Sequence, residues 1–338
     1  MLISSWIGLL TAVLTALSMT VIPGARAQQN LLIGNATAAD TQAAANDRFA
    51  ELITQYSDGK LKASARHGQS LGNNSQMVAQ LQAGGSIHGM VLPPGFISTT
   101  VPELALFDLP FLLPGAPAQI TAFAAQSKAA ERMKELAAQK GLYIIGFNGI
   151  GPQSFLSKFP INALSDIQGK KFRVIPSPPR VGAYQDWGAV PRPMEFGEVY
   201  TALQQGTLDG MENPPDVIYK SKLHEVAKYY TITEHFAFAS VVIVSKRWLD
   251  GLPADQREAV VKAGTETIKF ADVAYTESQQ TSLEAMKKAI SVTTLPAVEL
   301  QKMKDLAQKG IWQRLKADPQ RGPLVQLLEE DVARFSKK

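Results

Sequence analysis

The chain has no cysteine among its 338 residues. That excludes disulfides, thiol catalysis and thiolate metal sites together. Blocks of like charge are also missing. Lys and Arg number 34 against 30 Asp and Glu, a formal charge of +4, and the basic residues are scattered, so nucleic acid is not an expected partner. Beyond residue 22 no apolar run is long enough to span a bilayer. The four histidines, His67, His88, His224 and His235, lack metal-ligand spacing such as H-E-x-x-H, and they are expected at the surface or in partly buried structural positions. A nucleophile elbow, a phosphate loop and a dinucleotide fingerprint are absent as well. Glu195, Glu198 and Glu212 do not by their spacing set up an acid–base pair. The chain therefore reads as a binding protein without metal or cofactor, not as an enzyme.

What is present begins with an address. Residues 2–22 are mostly apolar and uncharged, and they end in Pro23-Gly24-Ala25-Arg26-Ala27. The small residues at Ala25 and Ala27 match a signal-peptidase site, which predicts export and cleavage near Ala27. No Lys or Arg precedes the run, and a retained anchor is the alternative because the run approaches spanning length. The 45% hydrophobic and 19% charged content is ordinary for a globular chain, and the length allows two domains.

The pattern along the chain is α/β. Strands are expected at 31–35 and 61–65 around a helix at 41–56, then a helix at 75–82. One device occurs twice: Leu81-Gln82-Ala83-Gly84 and Leu203-Gln204-Gln205-Gly206 each close a helix on glycine, and each leads into a short strand ending near Met90 or Met211. Two similar lobes, each feeding one wall of a cleft, would produce that repetition. Residues 102–114, broken by prolines, read as a buried connector, and a single helix is expected over 119–140. Residues 148–154, Asn-Gly-Ile-Gly-Pro-Gln-Ser, read as a crossing between lobes and a first hinge. A helix over 217–229 and a buried strand over 239–244 follow. The helical pattern over about 253–290 would run roughly 50 Å and span both lobes. Two final amphipathic helices are expected to pad one lobe. The resulting division is 1–27 signal, 28–150 with about 239–278 as the first lobe, and about 151–238 with 279–338 as the second.

The organising stretch is 166–215. In the strand Lys171-Phe172-Arg173-Val174-Ile175, Phe172 and Val174 face one way and Arg173 the other. Forty residues later a second strand delivers Asp209-Gly210-Met211-Glu212-Asn213. An Arg and an Asn thus reach one crevice at strand ends, as ligand-binding residues do in open α/β sheets. A salt bridge from Arg173 to Asp166 is the structural alternative, and a turn role before Pro214 is the alternative for Asn213.

These same residues carry a resemblance. Asp166-Ile167-Gln168-Gly169-Lys170-Lys171-Phe172-Arg173, then Glu198-Val199-Tyr200-Thr201-Ala202-Leu203-Gln204-Gln205-Gly206 through Asp209-Gly210-Met211-Glu212-Asn213, resemble the substrate-binding proteins of tripartite ATP-independent periplasmic (TRAP) transporters. Leu71-Gly72-Asn73 and Asp108-Leu109-Pro110-Phe111 add to the likeness, which covers almost all of the mature chain. The resemblance implies a type II periplasmic-binding-protein-like fold, two lobes closing on a small organic acid. Delivery to the small and large permease subunits is implied with it. Arg173 would hold the ligand carboxylate through its planar fork, Asn213 would bond the same group, and Phe196 would pack on the ligand body. Many members carry a further arginine where this chain has Gln153, which points to a monocarboxylate unless Arg192 compensates. Asn35, Asn73 (or Asn74) and Trp187 complete the candidate ligand residues, although asparagines serve turns locally and Trp187, like Tyr184, suits a core. A sensory binding protein that reports to a receptor, and more distantly an exported hydrolase, are the other readings.

Overall fold

The computed structural model describes residues 29–113 and 115–337. The expected export signal and its cleavage point near Ala27 lie outside these residues. Among the described residues nine strands form one mixed sheet: β1 (Gln29–Gly34), β2 (Leu61–Arg66), β3 (Ile87–Leu92), β4 (Leu142–Ser157), β5 (Lys171–Val174), β6 (Val190–Pro193), β7 (Gly210–Asn213), β8 (Tyr229–Ser245) and β9 (Ser291–Thr294). Their order is β2-β1-β3-β8-β4-β7-β5-β6, with β9 paired to β8.

The two long strands create two lobes from this sheet. β4 and β8 pair antiparallel along their length, from Leu142 opposite Ser245 to Ser157 opposite Tyr229. At one end of this ribbon β3 joins Val241–Val244 of β8. At the other end β7 joins Ser154–Ser157 of β4, and β9 joins Tyr229–Ile232 of β8. The first lobe thus collects β1–β3 and the second β5–β7 and β9. Residues 148–154, expected as a loop-like crossing, lie within β4. Register shifts at Ile144/Gly146, Gly149/Gly151 and Gln153/Phe155 bend the ribbon there. Pro152 is accommodated because β7 pairs only from Ser154 onward, leaving the proline where β4 has a single partner. Gly149 is required: a Cβ there would come within 2.1 Å of the Pro117 carbonyl oxygen.

Several expected elements move. The strand at 239–244 begins at Tyr229: Thr231 pairs with Phe155, pairing with β4 resumes at Phe236 opposite Gln153, and between them the N–H groups of Thr233 and Glu234 donate to the Ser154 hydroxyl. The helix at 217–229 is reduced to Pro215–Lys220 and a short turn at Leu223–Glu225. The single helix at 119–140 is two, Pro117–Gln126 and Lys128–Gln139, since Ser127 is extended and its hydroxyl caps the second by accepting from the Ala130 N–H. The C-terminal segment holds three helices, Ala297–Lys309, Ile311–Lys316 and Gly322–Phe335. The first two pack on Pro178–Asp186 and the last on Pro117–Gln126 and Lys128–Gln139, so they do not pad one lobe. Asp331 fixes the last by accepting from the Ser127 hydroxyl and the Ala129 N–H.

The long helix is Ala254–Ala289, about 54 Å at 1.5 Å per residue. It lies across Thr41–Tyr56, β4 and Pro215–Lys220, touching both lobes. The repeated device is also real. Gly84 and Gly206 both sit at φ near +70°, closing Asn74–Ala83 and Val199–Gln205 before β3 and β7. Among the described residues no helix is long and apolar enough to cross a membrane.

Candidate functional site

The site grows from β5. Phe172 and Val174 enter the core, and Arg173 on the opposite face is 1% exposed. Its Nε donates to the Met194 carbonyl at 2.9 Å, while its Nη2 is buried with no hydrogen-bond partner among the described residues. Burial pushes this guanidinium down to about 10, and the neighbouring Arg180 charge acts in the same direction. The alternative partner, Asp166, is engaged elsewhere, accepting from the backbone N–H groups of Asn162 and Ala163. Arg173 is therefore a desolvated cation without a salt-bridge partner among the described residues.

It lines a small cavity between the lobes. From the second lobe come Arg173, Ile175, Phe196, Asn213 and Val217; from the first come Thr37, Asp40, Gln42, Asn74, Pro93 and Phe96; Phe238 of β8 lies between them. The Phe196 ring centroid is 5.9 Å from the Arg173 guanidinium carbon. The walls combine aromatic and aliphatic faces with a few polar groups, the composition of a small-molecule site.

Gln153 does not line this cavity. Its Nε2 donates to Asn213 Oδ1 at 3.3 Å, and its Oε1 accepts from Arg180 at 2.5 Å. Arg180 is fully buried and also pairs with Asp108 at 2.7 Å and Glu212 at 3.0 Å, while the Tyr184 hydroxyl donates to Glu212 at 2.6 Å. Desolvation lowers the Arg180 guanidinium, but Asp108 and Glu212 outweigh it and hold the pKa above its usual value. Glu212 is raised by burial, with Arg180 and Tyr184 opposing. Arg180 thus stands beside Gln153 as a second buried arginine, with its charge already matched by carboxylates. Arg192 is exposed on β6 and does not compensate.

The other candidates divide. Asn213 lines the cavity at the end of β7, and Phe196 lines it from the loop after β6. Asn35 lies one step behind: its Oδ1 accepts from Gln42 and its Nδ2 donates to the Thr37 carbonyl, so it holds two wall residues in place. Asn73 caps Asn74–Ala83 in a reciprocal box with Gln76, and the next residue, Asn74, reaches the cavity. Trp187 belongs to the core, with its indole N–H donating to Met303 O at 2.9 Å and its ring packed against Tyr184, Phe155 and His235. His235 is fully buried, unlike the expectation of mostly surface or partly buried histidines. No cluster of potential metal ligands occurs among the described residues.

Asp40, Gln42, Phe238 and Arg180 are residues that sequence reasoning missed, and of the pair Asn73 or Asn74 it is the second that reaches the cavity. For Asp40 a signal existed, since an Asp before the Thr41 helix is a natural cap. Arg180 had none, because its partners are 72 and 32 residues away.

Two acidic contacts close the cleft. Glu195 of the second lobe accepts from the Ser75 hydroxyl of the first at 2.6 Å. Asp216 accepts from the Thr41 N–H at 3.2 Å, from the Ser278 hydroxyl of the long helix and from Lys220 at 2.8 Å.

Residues 33–318 match the family model of bacterial extracellular solute-binding proteins, family 7 (DctP). The chain belongs to this family. It is 32% identical to the ectoine/5-hydroxyectoine-binding periplasmic protein UehA of Ruegeria pomeroyi, over 74% of this chain and 73% of that protein. It is 30% identical to the 2,3-diketo-L-gulonate-binding periplasmic protein YiaO of Escherichia coli, over 78% and 80%. A TRAP periplasmic solute-binding protein from Desulfovibrio salexigens with bound orotic acid superposes with a TM-score of 0.84 at 29% identity, covering 90% of this chain and 99% of that one. The galactonate complex of the sugar acid binding protein from Advenella mimigardefordensis gives 0.84 at 26%, covering 91% and 98%. Members of this DctP family are extracytoplasmic TRAP solute-binding proteins for small organic acids, and they work with membrane permease components.

Proposed function

We propose that this protein captures a monocarboxylate acid through Arg173 and delivers it to the small and large subunits of a TRAP permease, without turning it over. The observation that carries this is the Arg173 Nη2 group, buried at the wall of an inter-lobe cavity with no acid paired to it among the described residues. A ligand carboxylate would supply the missing acceptor, with the Asn213 amide, whose carbonyl faces Gln153, donating beside it. One carboxylate is enough, because the charge of Arg180 is met by Asp108 and Glu212. Phe196 supports the ligand body. Export by cleavage near Ala27 belongs to the same proposal, as does a lobe division of 28–150 with 239–278 against 151–238 with 279–338, the last helix, Gly322–Phe335, crossing back onto the first lobe.

The test is a thermal-shift panel of organic acids followed by titration calorimetry. A ligand at a hundredfold its Kd adds about 2.7 kcal/mol of stability. Arg173→Lys is expected to weaken the best ligand at least tenfold, since an ammonium lacks the planar fork. Equal affinities in the two forms would remove Arg173 from the site.

A further inference from the structure

The wall facing Arg173 presents unpaired groups of the opposite kind. Asp40 is 3% exposed; its Oδ1 accepts from the Thr37 hydroxyl at 2.6 Å and the Ala43 N–H at 3.0 Å, and its Oδ2 is buried without a partner among the described residues. Asn74 is 2% exposed, and its Oδ1 is likewise buried and unpartnered. Both residues line the cavity that Arg173 lines. One wall thus offers a hydrogen-bond donor and the other two acceptors. A buried acceptor left unsatisfied is costly, and a site built around one discriminates strongly for a ligand that satisfies it.

We infer that the ligand is bifunctional, with its carboxylate on Arg173 and a hydrogen-bond donor, O–H or N–H, at its other end on Asp40 Oδ2 and Asn74 Oδ1. The inference rests on the reading of Arg173 above and extends it to the opposite pole. A plain aliphatic acid would leave both acceptors unmet. A dicarboxylate would set its second carboxylate against Asp40.

The electrostatics around Asp40 agree with a missing partner. Burial raises its carboxyl to about 6, Asp216 adds to the rise, and Thr37, the Ala43 N–H and Lys220 oppose it. Lys220 does not neutralise it, because its ammonium is held by Asp216 and the Thr41 hydroxyl. Tyr275, also facing this acid pair, is held neutral by burial. A ligand donor on Oδ2 would favour the ionised form of Asp40.

The experiment uses the mature chain with D-galacturonate and ectoine as donor-bearing acids and hexanoate and succinate as controls, all read by thermal shift and calorimetry. Donor-bearing acids are expected to bind, with the controls at least tenfold weaker. Asp40→Ser keeps a good helix cap but withdraws the free oxygen, and it should cost the best ligand about tenfold. Asn74→Ala should cost several-fold. Asp40→Asn identifies the donor: a hydroxyl ligand keeps most of its affinity, and a cationic one loses at least tenfold. Tightest binding by hexanoate or succinate overturns the inference. So do Asp40→Ser and Asn74→Ala forms that fold and bind within twofold of the parent. If Arg173→Lys abolishes binding while those two do not, the inference at the second pole falls alone. If Arg173→Lys is neutral, the carboxylate reading falls first.

Discussion

Closure can be weakened without touching the ligand. Asp216 is fully buried, and its Oδ2 accepts from the Thr41 N–H at 3.2 Å. That N–H is the first of Thr41–Tyr56, so a carboxylate of the second lobe sits on a helix N-terminus of the first. Its other bonds, to Ser278 and Lys220, need not break when the lobes part, because Lys220 shares its short helix and the long helix packs against that helix. The cross-lobe contribution is then one charge-assisted bond, roughly 1.5–3 kcal/mol, with about 0.3–1 kcal/mol from the helix dipole. Asparagine retains a neutral acceptor, so Asp216→Asn should weaken the closed form by about 1–2 kcal/mol. Ligand affinity tracks the closed population, and the expected loss is about five- to thirtyfold, with the free protein more open in X-ray scattering. Thr41→Pro removes the same N–H from the other side. Proline is tolerated at a first helical position, and Asp40 before it is already extended, at φ −87° and ψ −179°. Both changes delete the Thr41 N–H bond to Asp216, and Thr41→Pro also removes the hydroxyl that Lys220 holds, so the double variant should lose little more than Thr41→Pro alone by calorimetry. Additive losses, or an Asp216→Asn form that binds within twofold of the parent, would refute the latch.

Arg180→Met leaves Asp108 and Glu212 buried without their cation, and it should destabilise the fold by about 3–5 kcal/mol in denaturant titration. Gln153→Arg brings a second guanidinium against Arg180 instead of into the cavity; it should lower stability and leave the order of ligands unchanged in a competition panel. Asp40 predicts a pH effect whose sign is opposite to that of a paired carboxylate. Its folded pKa, about 6, exceeds the ordinary 3.8, so the ionised form is disfavoured in the fold and protonation is stabilising. Between pH 7 and pH 5 the unliganded protein should gain about 1 kcal/mol relative to Asp40→Asn. Thermal unfolding of both forms across that window checks it, and a constant difference would contradict the assignment.

The two-lobed α/β plan was legible because its signals are local. Glycine at the ends of Asn74–Ala83 and Val199–Gln205, and the alternation around Arg173, each need only a few neighbouring residues. The helix at 41–56 could be placed to the residue because a cap and a turn bound it. β8 was not legible over its first half, where the ladder to β4 and β9 holds Thr231 against its polarity and Thr233 and Glu234 bulge out of it with their N–H groups on the Ser154 hydroxyl. The break at Ser127 depends on a contact with Asp331, 204 residues away. Candidate residues sort by the same rule. Arg173, Phe196 and Asn213 sit in one long motif and line one cavity. Trp187 was misplaced because an aromatic on a short helix looks the same whether it meets a ligand or Met303. Asn73 and Asn74 differ by one position, and only the helix phase decides which of them caps and which faces inward.

The asymmetry between the two buried arginines explains how one cavity can hold a cation ready for a ligand. Arg180 lies one helix away from Arg173, is equally desolvated and carries two carboxylates, an arrangement typical of a structural charge. Its presence lowers the pKa of Arg173, while Glu212 and Glu195 act at a distance to keep Arg173 charged. Glu212 is committed to Arg180 and Tyr184, and Glu195 bonds Ser75 through Oε1 while its Oε2 is buried without a partner; among the described residues neither forms a salt bridge with Arg173. Glu212 therefore serves to hold the second lobe rigid and Glu195 Oε1 to hold the lobes together, while Asp40 Oδ2 stays unpaired on the facing wall. Arg173, the cation that lines the cavity among the described residues, is left to an anion from outside. Closure and capture are coupled by this division: Ser75 and Thr41, which receive Glu195 and Asp216, flank Asn74 and Asp40 in sequence, so the residues that latch the first lobe adjoin those that line it.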